Sequence, residues 1–402
     1  MLRWLTAGES HGPALVATLE GMPAGIAITT DTIRTALARR RLGYGRGSRQ
    51  KWEKDEVEIL AGIRHGYTTG APITIKINNT EWPKWDVVMS ADPVPPEALL
   101  IDAGTGDERE VARNKRLTRP RPGHADLPGM LSYGHEDARN ILERASARET
   151  AARVALGAIA EALLDQVANI RLVSHVVAVG NEHSTGHTPT PDDADALDKS
   201  PVRTLNPDAE KRFTDRIDAA KKAGDTVGGI AEVIAYGVPI GLGSHVSADR
   251  RIDAHIAAAL MSIQSVKGVE IGDGFTHATL PGSKAQDEIT TTPDGALTRI
   301  ANHAGGIEGG TTNGQPIIAR AAFKPISTIP HALRTIDLDT GEPATALHQR
   351  SDACHIVPGA VIAQAEIALV LARALLERTG GNSLKQVTSN LATYLEEIAT
   401  RL

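Results

Sequence analysis

Residues 146–180, SARETAARVALGAIAEALLDQVANIRLVSHVVAVG, carry a helix start, an apolar helix and a strand in one run. Ser146, with Glu149 three residues on, has the form of a capping box, in which hydroxyl and carboxylate satisfy open N–H groups. The Ala- and Leu-rich stretch behind it predicts a helix to about Val167. β-Branched residues then predict a strand over 170–180. Upstream, strands are predicted at 14–20, 26–30, 56–63 and 72–78. Between them Asp31 can cap a helix to Arg41 with Ile33 and Leu37 on one face. Downstream, strands fall at 229–236 and 316–322. Helices are predicted over 206–223, from Asp253 to Val266, from Pro358 to Arg378, and over 383–401. Asp253 is read as a cap and Pro358 as the first residue of its helix. Strand pairs and long helices without regular βα alternation predict α+β or a layered α/β sandwich. No linker or short-period repeat divides residues 1–402, so one large domain is expected.

The composition narrows the function. The chain has 402 residues, 43 Lys and Arg against 49 Asp and Glu, and a net charge of −6. An acidic balance argues against a general nucleic-acid coat but leaves room for local basic sites. No apolar run is read as reaching the roughly 18 residues of a membrane span, and no signal peptide is read at the start. The single cysteine, Cys354, excludes an intrachain disulfide and a multi-cysteine zinc site. A reducing, cytoplasmic compartment is expected. Aromatic residues are only 3%, which points to a core of Ala, Val, Ile and Leu.

Several loops hold residues suited to chemistry. In Gly8-Glu9-Ser10-His11-Gly12 a tight turn can present an imidazole, a group that moves protons near neutral pH. Arg39, Arg40, Arg41, Arg46, Arg49 and Lys51 form one acid-free basic run, and Arg113, Lys115, Arg116, Arg119 and Arg121 another. Guanidinium forks bind phosphate and carboxylate, although Arg39 to Arg41 also suit a plain helix end. Arg121-Pro122-Gly123-His124-Ala125-Asp126 bends before its histidine, and Asp126 can orient the ring or cap a turn. Arg144-Ala145-Ser146-Ala147-Arg148-Glu149 at a helix start can hold an anion or serve as a plain cap. Residues 305–314, GGIEGGTTNG, form a backbone-contact loop without the spacing of a dinucleotide fingerprint. Lys324-Pro325-Ile326-Ser327-Thr328 leaves a strand with one cation and two hydroxyls. Arg350-Ser351-Asp352-Ala353-Cys354-His355 precedes the Pro358 helix, and Asp352 is either a proton relay or a capping acid.

Three further signals are weak. Arg64-His65-Gly66 has the form of a phosphohistidine motif, but it is only three residues long. His183 and His187 have i,i+4 spacing for a metal in a loop with no carboxylate partner, so no metal site is assigned. Cys354 could be a nucleophile or an inert buried thiol.

Taken in order, GESHGPAL, RPGHAD, RASARETAAR, GGIEGGTTNGQPI, KPIST and RSDACHIVPGA resemble the chorismate synthase family, over residues 8 to about 370. The resemblance implies a β-α-β sandwich of antiparallel sheets and helices assembled as a homotetramer. It implies 1,4-elimination of phosphate from 5-enolpyruvylshikimate 3-phosphate, giving chorismate as the last step of the shikimate pathway. It also implies reduced FMN as cofactor without net redox change, the flavin lending an electron to the substrate and taking it back. NADPH is a candidate reductant of the flavin. By motif match, His11 would protonate the leaving phosphate, His124 the reduced flavin, and Asp352 would serve proton removal. Ser10, Arg40, Arg46, Arg121, Arg350 and Ser351 would bind substrate. Arg144, Ala145, Ser146, Gln264, Ser265, Gly309, Lys324 to Thr328 and Arg350 would surround FMN.

The long segment 80–121, with Trp82 and Trp85, is expected to be mobile and to close over bound substrate. The insertion 183–200 is expected to be a surface loop. Two other functions fit parts of the sequence. A phosphatase or phosphotransferase would use His65 or His11. An RNA-binding module would use the arginine runs, although stacking aromatics are scarce beside them. No nucleic acid and no membrane is expected as partner.

Overall fold

Ile73, Ile75 and Ile77 alternate with Thr74, Lys76 and Asn78, so one face of this strand is wholly buried and the other is not. That period of two fixes which side of a sheet meets the core. The computed structural model describes residues 2–47, 53–101, 105–293, 295–346 and 352–401. In chain order its main elements are β1 (Arg3–Ala7), β2 (Ala14–Glu20), α1 (Thr30–Arg40), β3 (Val57–Ala61) and β4 (Ile73–Asn78). Next come α2 (Glu108–Asn114), α3 (Asp126–Tyr133), α4 (Arg139–Leu142), α5 (Thr150–Ala168), β5 (Arg171–Val179) and β6 (Glu182–His183). The chain continues through α6 (Pro207–Lys222), β7 (Gly229–Tyr236), α7 (Ile252–Met261), β8 (Val266–Ile271), β9 (Ile317–Phe323), α8 (Ile356–Thr379) and α9 (Leu384–Ala399).

One sheet has the order β1-β2-β4-β3 and the other β8-β9-β7-β5-β6. All of these neighbours are antiparallel. Between the sheets lie α1, α5 and α8, with α5 against β2 and α8 against β5 and β7. This is the β-α-β sandwich. A single apolar cluster runs through both sheets and the helix layer. Its Leu and Ile side chains each contribute roughly 1.5–3 kcal/mol when fully buried.

The centre of the layer is the α5–α8 contact. Gly157 faces Ala365 there, and a Cβ at 157 would lie 2.4 Å from the Ala365 Cβ. Only glycine permits so close an approach. The 24-residue α8 is long and apolar enough to cross a membrane, contrary to the reading that no run reaches that length. It is almost wholly buried inside the fold and so is a core helix.

The other departures are local. Residues 26–30 form no strand. They make only a single antiparallel bridge, Ala27 with Tyr67, and on the other edge the Gln166 side chain takes the Ala27 N–H at 2.8 Å and donates to its C=O at 2.9 Å. α1 is capped by Thr29, with Asp31 inside its first turn. Asp253 likewise sits inside the first turn of α7, paired with Arg251. Pro358 is the third residue of α8 and not the first. Ser146 does cap a helical turn, accepting from the Arg148 N–H. Glu149 does not complete a capping box. It turns instead to Gln264 and Arg153, at 2.7 and 2.8 Å.

Candidate active site

The turn after β1 depends on Gly8, whose φ of +101° and closeness to Ala14 O leave no room for a side chain. It delivers Ser10 and His11 to the segment between α4 and α5. The Ser10 N–H donates to Glu143 O at 2.9 Å, and the Ser146 hydroxyl donates to Ser10 Oγ at 3.2 Å. The His11 N–H donates to Glu143 Oε2 at 2.8 Å, and its Nδ1 lies 2.9 and 3.0 Å from the two carboxylate oxygens. Trp85 stacks on the His11 ring, with centroids 3.9 Å apart and planes 20° apart. Arg113 and Arg139 lie over the same indole at 5.7 and 5.5 Å. The segment that carries Trp85 therefore lies across the His11 turn.

A second histidine is held by its own loop. His124 Nδ1 is 2.6 Å from Asp126 Oδ1, and Arg121 Nε donates to Asp126 Oδ2 at 2.8 Å. Asp126 is fully buried. Burial opposes its ionisation, but the hydrogen bonds from His124 and Arg121 outweigh it and hold the carboxyl well below the usual carboxylate range. Arg121 also donates to the Thr328 hydroxyl at 2.9 Å. Lys324 and Ser327 both donate to Gly123 O. Thr226 anchors this strand exit by donating to Ile326 O at 2.8 Å. Burial, reinforced by Lys267, lowers the Lys324 pKa below the ordinary lysine range.

Two arginines of the first basic run are buried. Arg40 donates to Thr150 Oγ1 at 3.1 Å and to Ala147 O at 3.2 Å, with Asp55 at 3.6 Å. Burial pulls it down to about 10 despite Asp55, so it stays charged at neutral pH. Arg46 is paired with Asp352 at 3.0 Å, and Asp352 also accepts from the Gly47 N–H at 2.6 Å. Burial again lowers the Arg46 pKa, with Asp352 opposing. Its buried Nε has no hydrogen-bond partner. Arg148 pairs with Asp55, which adopts a left-handed φ of 50°. Glu53 also lies 3.4 Å from Arg148, so these three arginines are matched by the three carboxylates Asp55, Glu53 and Asp352. A guanidinium fork has five N–H donors, so each can still hold an anion beside its carboxylate.

The remaining assigned residues divide. Ser265 O accepts from the Lys324 N–H at 2.9 Å, and Gln264 donates to Glu149, so both join the β8–β9 end of the site. The Ala145 N–H closes a turn on Ile141 O, directly ahead of Ser146. Arg144 turns away, donating to Thr6 O and Gly8 O at 2.9 and 3.0 Å. It lines a separate cavity of about 450 Å³ with Trp4, Arg153, His255 and Glu366. Gly309 is not brought to Lys324 within the chain. Its neighbour Gly310 abuts Arg251 at the start of α7, whereas Gln264 follows the other end of that ten-residue helix, about 15 Å on at 1.5 Å per residue. Arg350, Ser351, Arg49 and Lys51 lie outside the described residues.

The sequence reading missed Glu143 and Asp55, and it placed Arg148 in the helix-start motif without a partner. An acid directly before RASARE was the one available sign of Glu143. Among the described residues no group of His, Cys, Asp or Glu could hold a metal. His65 occupies a left-handed hairpin position, φ 51°, between Arg64 and Gly66. Cys354 is buried, and burial pushes its thiol up to about 11.

Comparison with known proteins gives one consistent result. The family model described as chorismate synthase matches residues 2–376. Chorismate synthase of Beutenbergia cavernae is 59% identical over 400 residues, covering 99% of each chain. That of Streptomyces coelicolor is 57% identical over 401 residues, covering 100% of this chain and 99% of its own. A crystal structure of chorismate synthase matches with a TM-score of 0.75 at 36% identity, over 98% of both chains.

Proposed function

This chain belongs to the chorismate synthase family, whose reaction closes the shikimate pathway, and we propose that its chemistry takes place among His11, His124, Arg40, Arg46, Arg121 and Asp352. The observation that carries the reading is that each motif histidine is held by a buried carboxylate, with buried arginines beside the Ser146 turn and in the His124 loop. In the elimination a C–O bond breaks with its electron pair passing to the phosphate, a C–H proton leaves, and a C=C bond forms. Arg40, Arg46 and Arg121, with Ser10, are assigned to the phosphate and carboxylates of 5-enolpyruvylshikimate 3-phosphate. His11 is assigned as the acid for the leaving phosphate. Asp352, oriented by Arg46 and the Gly47 N–H, is assigned to the departing proton.

The residues present fit a flavin. Among the described residues Gln264 Oε1 is a buried acceptor without a hydrogen-bond partner, and Lys324 is a cation beside Ser327. Such an acceptor suits the N–H of an amide-like ring edge, and the cation and hydroxyl suit an anion. Lys324 to Thr328, Gln264, Ser265, Ala145 and Ser146 are assigned to FMN, with His124 as the proton donor beside it. Reduced FMN, when bound, supplies electron density to the scissile bond and recovers it. Arg350 and Ser351 complete the assignment by motif. A cytoplasmic homotetramer belongs to the same proposal. Apolar surface on Phe275, Ile289 and Ile300, each at least 65% exposed, supports assembly.

The test is anaerobic turnover of 5-enolpyruvylshikimate 3-phosphate with dithionite-reduced FMN, followed as chorismate absorbance. Chorismate only with reduced flavin supports the whole reading. Free phosphate without flavin would overturn the flavin assignment. Replacing dithionite with NADPH decides whether the enzyme reduces its own flavin.

A further inference from the structure

Behind His11 stands a carboxylate to which no role has been given. The Glu143 side chain is 1% exposed and is held from below by Arg139, 3.9 Å from Oε1. It meets His11 at two donors, the backbone N–H and the ring Nδ1, while its own C=O takes the Ser10 N–H. One residue thus fixes the turn and the ring together. An ionised carboxylate accepts and never donates. A neutral imidazole facing it must therefore keep its proton on Nδ1. A half-turn of the ring about Cβ–Cγ would put Cδ2 where Nδ1 stands and break the contact with Glu143, while the Trp85 indole packs on one face of the ring.

We propose that Glu143 is a positioning residue which fixes the tautomer and orientation of His11, so that Nε2 is the atom that delivers the proton to the leaving phosphate. In that step the Nε2–H bond breaks and a phosphate O–H bond forms. The ring passes from imidazolium to neutral imidazole and retains Nδ1–H against Glu143. The inference rests on the reading of His11 as the acid and deepens it. Asp126 makes the corresponding contact with His124. Glu143 differs in that it also binds the backbone on either side of the Ser10–His11 bond.

The decisive variant is Glu143→Gln, assayed as the enzyme loaded with reduced FMN. A carboxamide can present only one oxygen to two donors, so its N–H turns toward Nδ1 and favours the proton on Nε2. Turnover should fall about 10²–10³-fold with KM within about threefold, the pattern of a histidine held in the wrong tautomer. Nitrogen-15 NMR of histidine-labelled protein, with the signal assigned by His11→Ala, reads the tautomer without cofactor. The wild-type neutral ring should show Nδ1 protonated, and Glu143→Gln should reverse it. A wild-type ring protonated on Nε2 overturns the proposal even if the variant does not fold. So does wild-type turnover in Glu143→Gln alongside a slow His11→Ala. If His11→Ala itself turns over normally, the assignment of His11 as acid fails, and this inference falls with it.

Discussion

The two histidines of the site are held in opposite ways. His124 finds its carboxylate two residues away, on the same bend of chain, and Arg121 of that hexapeptide binds the same Asp126. His11 takes its carboxylate from Glu143, 132 residues later, and its ring is covered by Trp85 from a third segment. The first pair is set by local geometry and then docked onto residues 324–328. The second exists only once the β1–β2 turn, the segment after α4 and the strap around Trp85 have met. Local pairing tolerates movement of the surrounding fold, and pairing across segments makes His11 sensitive to it.

Removing each ring gives the largest expected effect. His11→Ala and His124→Ala should each lower turnover by about 10²–10⁴, the usual range for a lost acid–base group, with circular dichroism unchanged. Near wild-type chorismate formation by either would take that ring out of the chemistry. Asp126→Asn sharpens the contrast through stability. It strips a buried partner from Arg121 and should cost about 3–5 kcal/mol, measured by urea unfolding. The pH dependence has a definite sign. An unfolded aspartate titrates at about 3.9, and Asp126 is held below that in the fold. Its contribution is therefore complete above about pH 4 and is lost as the pH falls through the folded value. Wild type should lose this increment on acidification and Asp126→Asn should not.

The strap gives a smaller effect on the His11 side alone. Trp85→Ala removes a ring stack worth about 0.5–1.5 kcal/mol. It should raise KM roughly three- to tenfold and speed proteolysis within 80–114, while binding at the His124 loop is unaffected. Equal cleavage of variant and wild type would show that the stack does not hold the strap. The smallest effect belongs to a group outside both pairs. With its thiol pushed up to about 11 and buried, Cys354 should resist iodoacetamide at pH 8 in the folded protein. Mass spectrometry showing rapid alkylation would contradict that.

The same contrast marks what could be read from the sequence. β4 was legible because its apolar residues alternate, and α5 because an apolar helix follows a capping serine. The Arg121–Asp126 bend was legible because all of its parts are adjacent. Glu149 was misread because a capping box is a local rule, and tertiary partners drew the side chain elsewhere. Residues 26–30 were misread because their pairing with Tyr67 is one bridge long, Gln166 closes the other edge, and the helix has already begun at Thr30. β1 went unnoticed because every second residue of this edge strand is exposed and none is fully buried. Glu143 carries no periodic or motif signal of its own, and its role appears only when two distant segments touch.

Gly157 has a consequence for the whole site. Arg40 and His11 sit on the side of the first sheet, and Lys324 and Asp352 on the side of the second. Between them the two long helices of the layer meet where Gly157 faces Ala365. On the proposed assignment, the span between these groups is set in part by the absence of one methyl group deep in the protein. An alanine at 157 would act as a shim, widening the jaws without touching anything that binds.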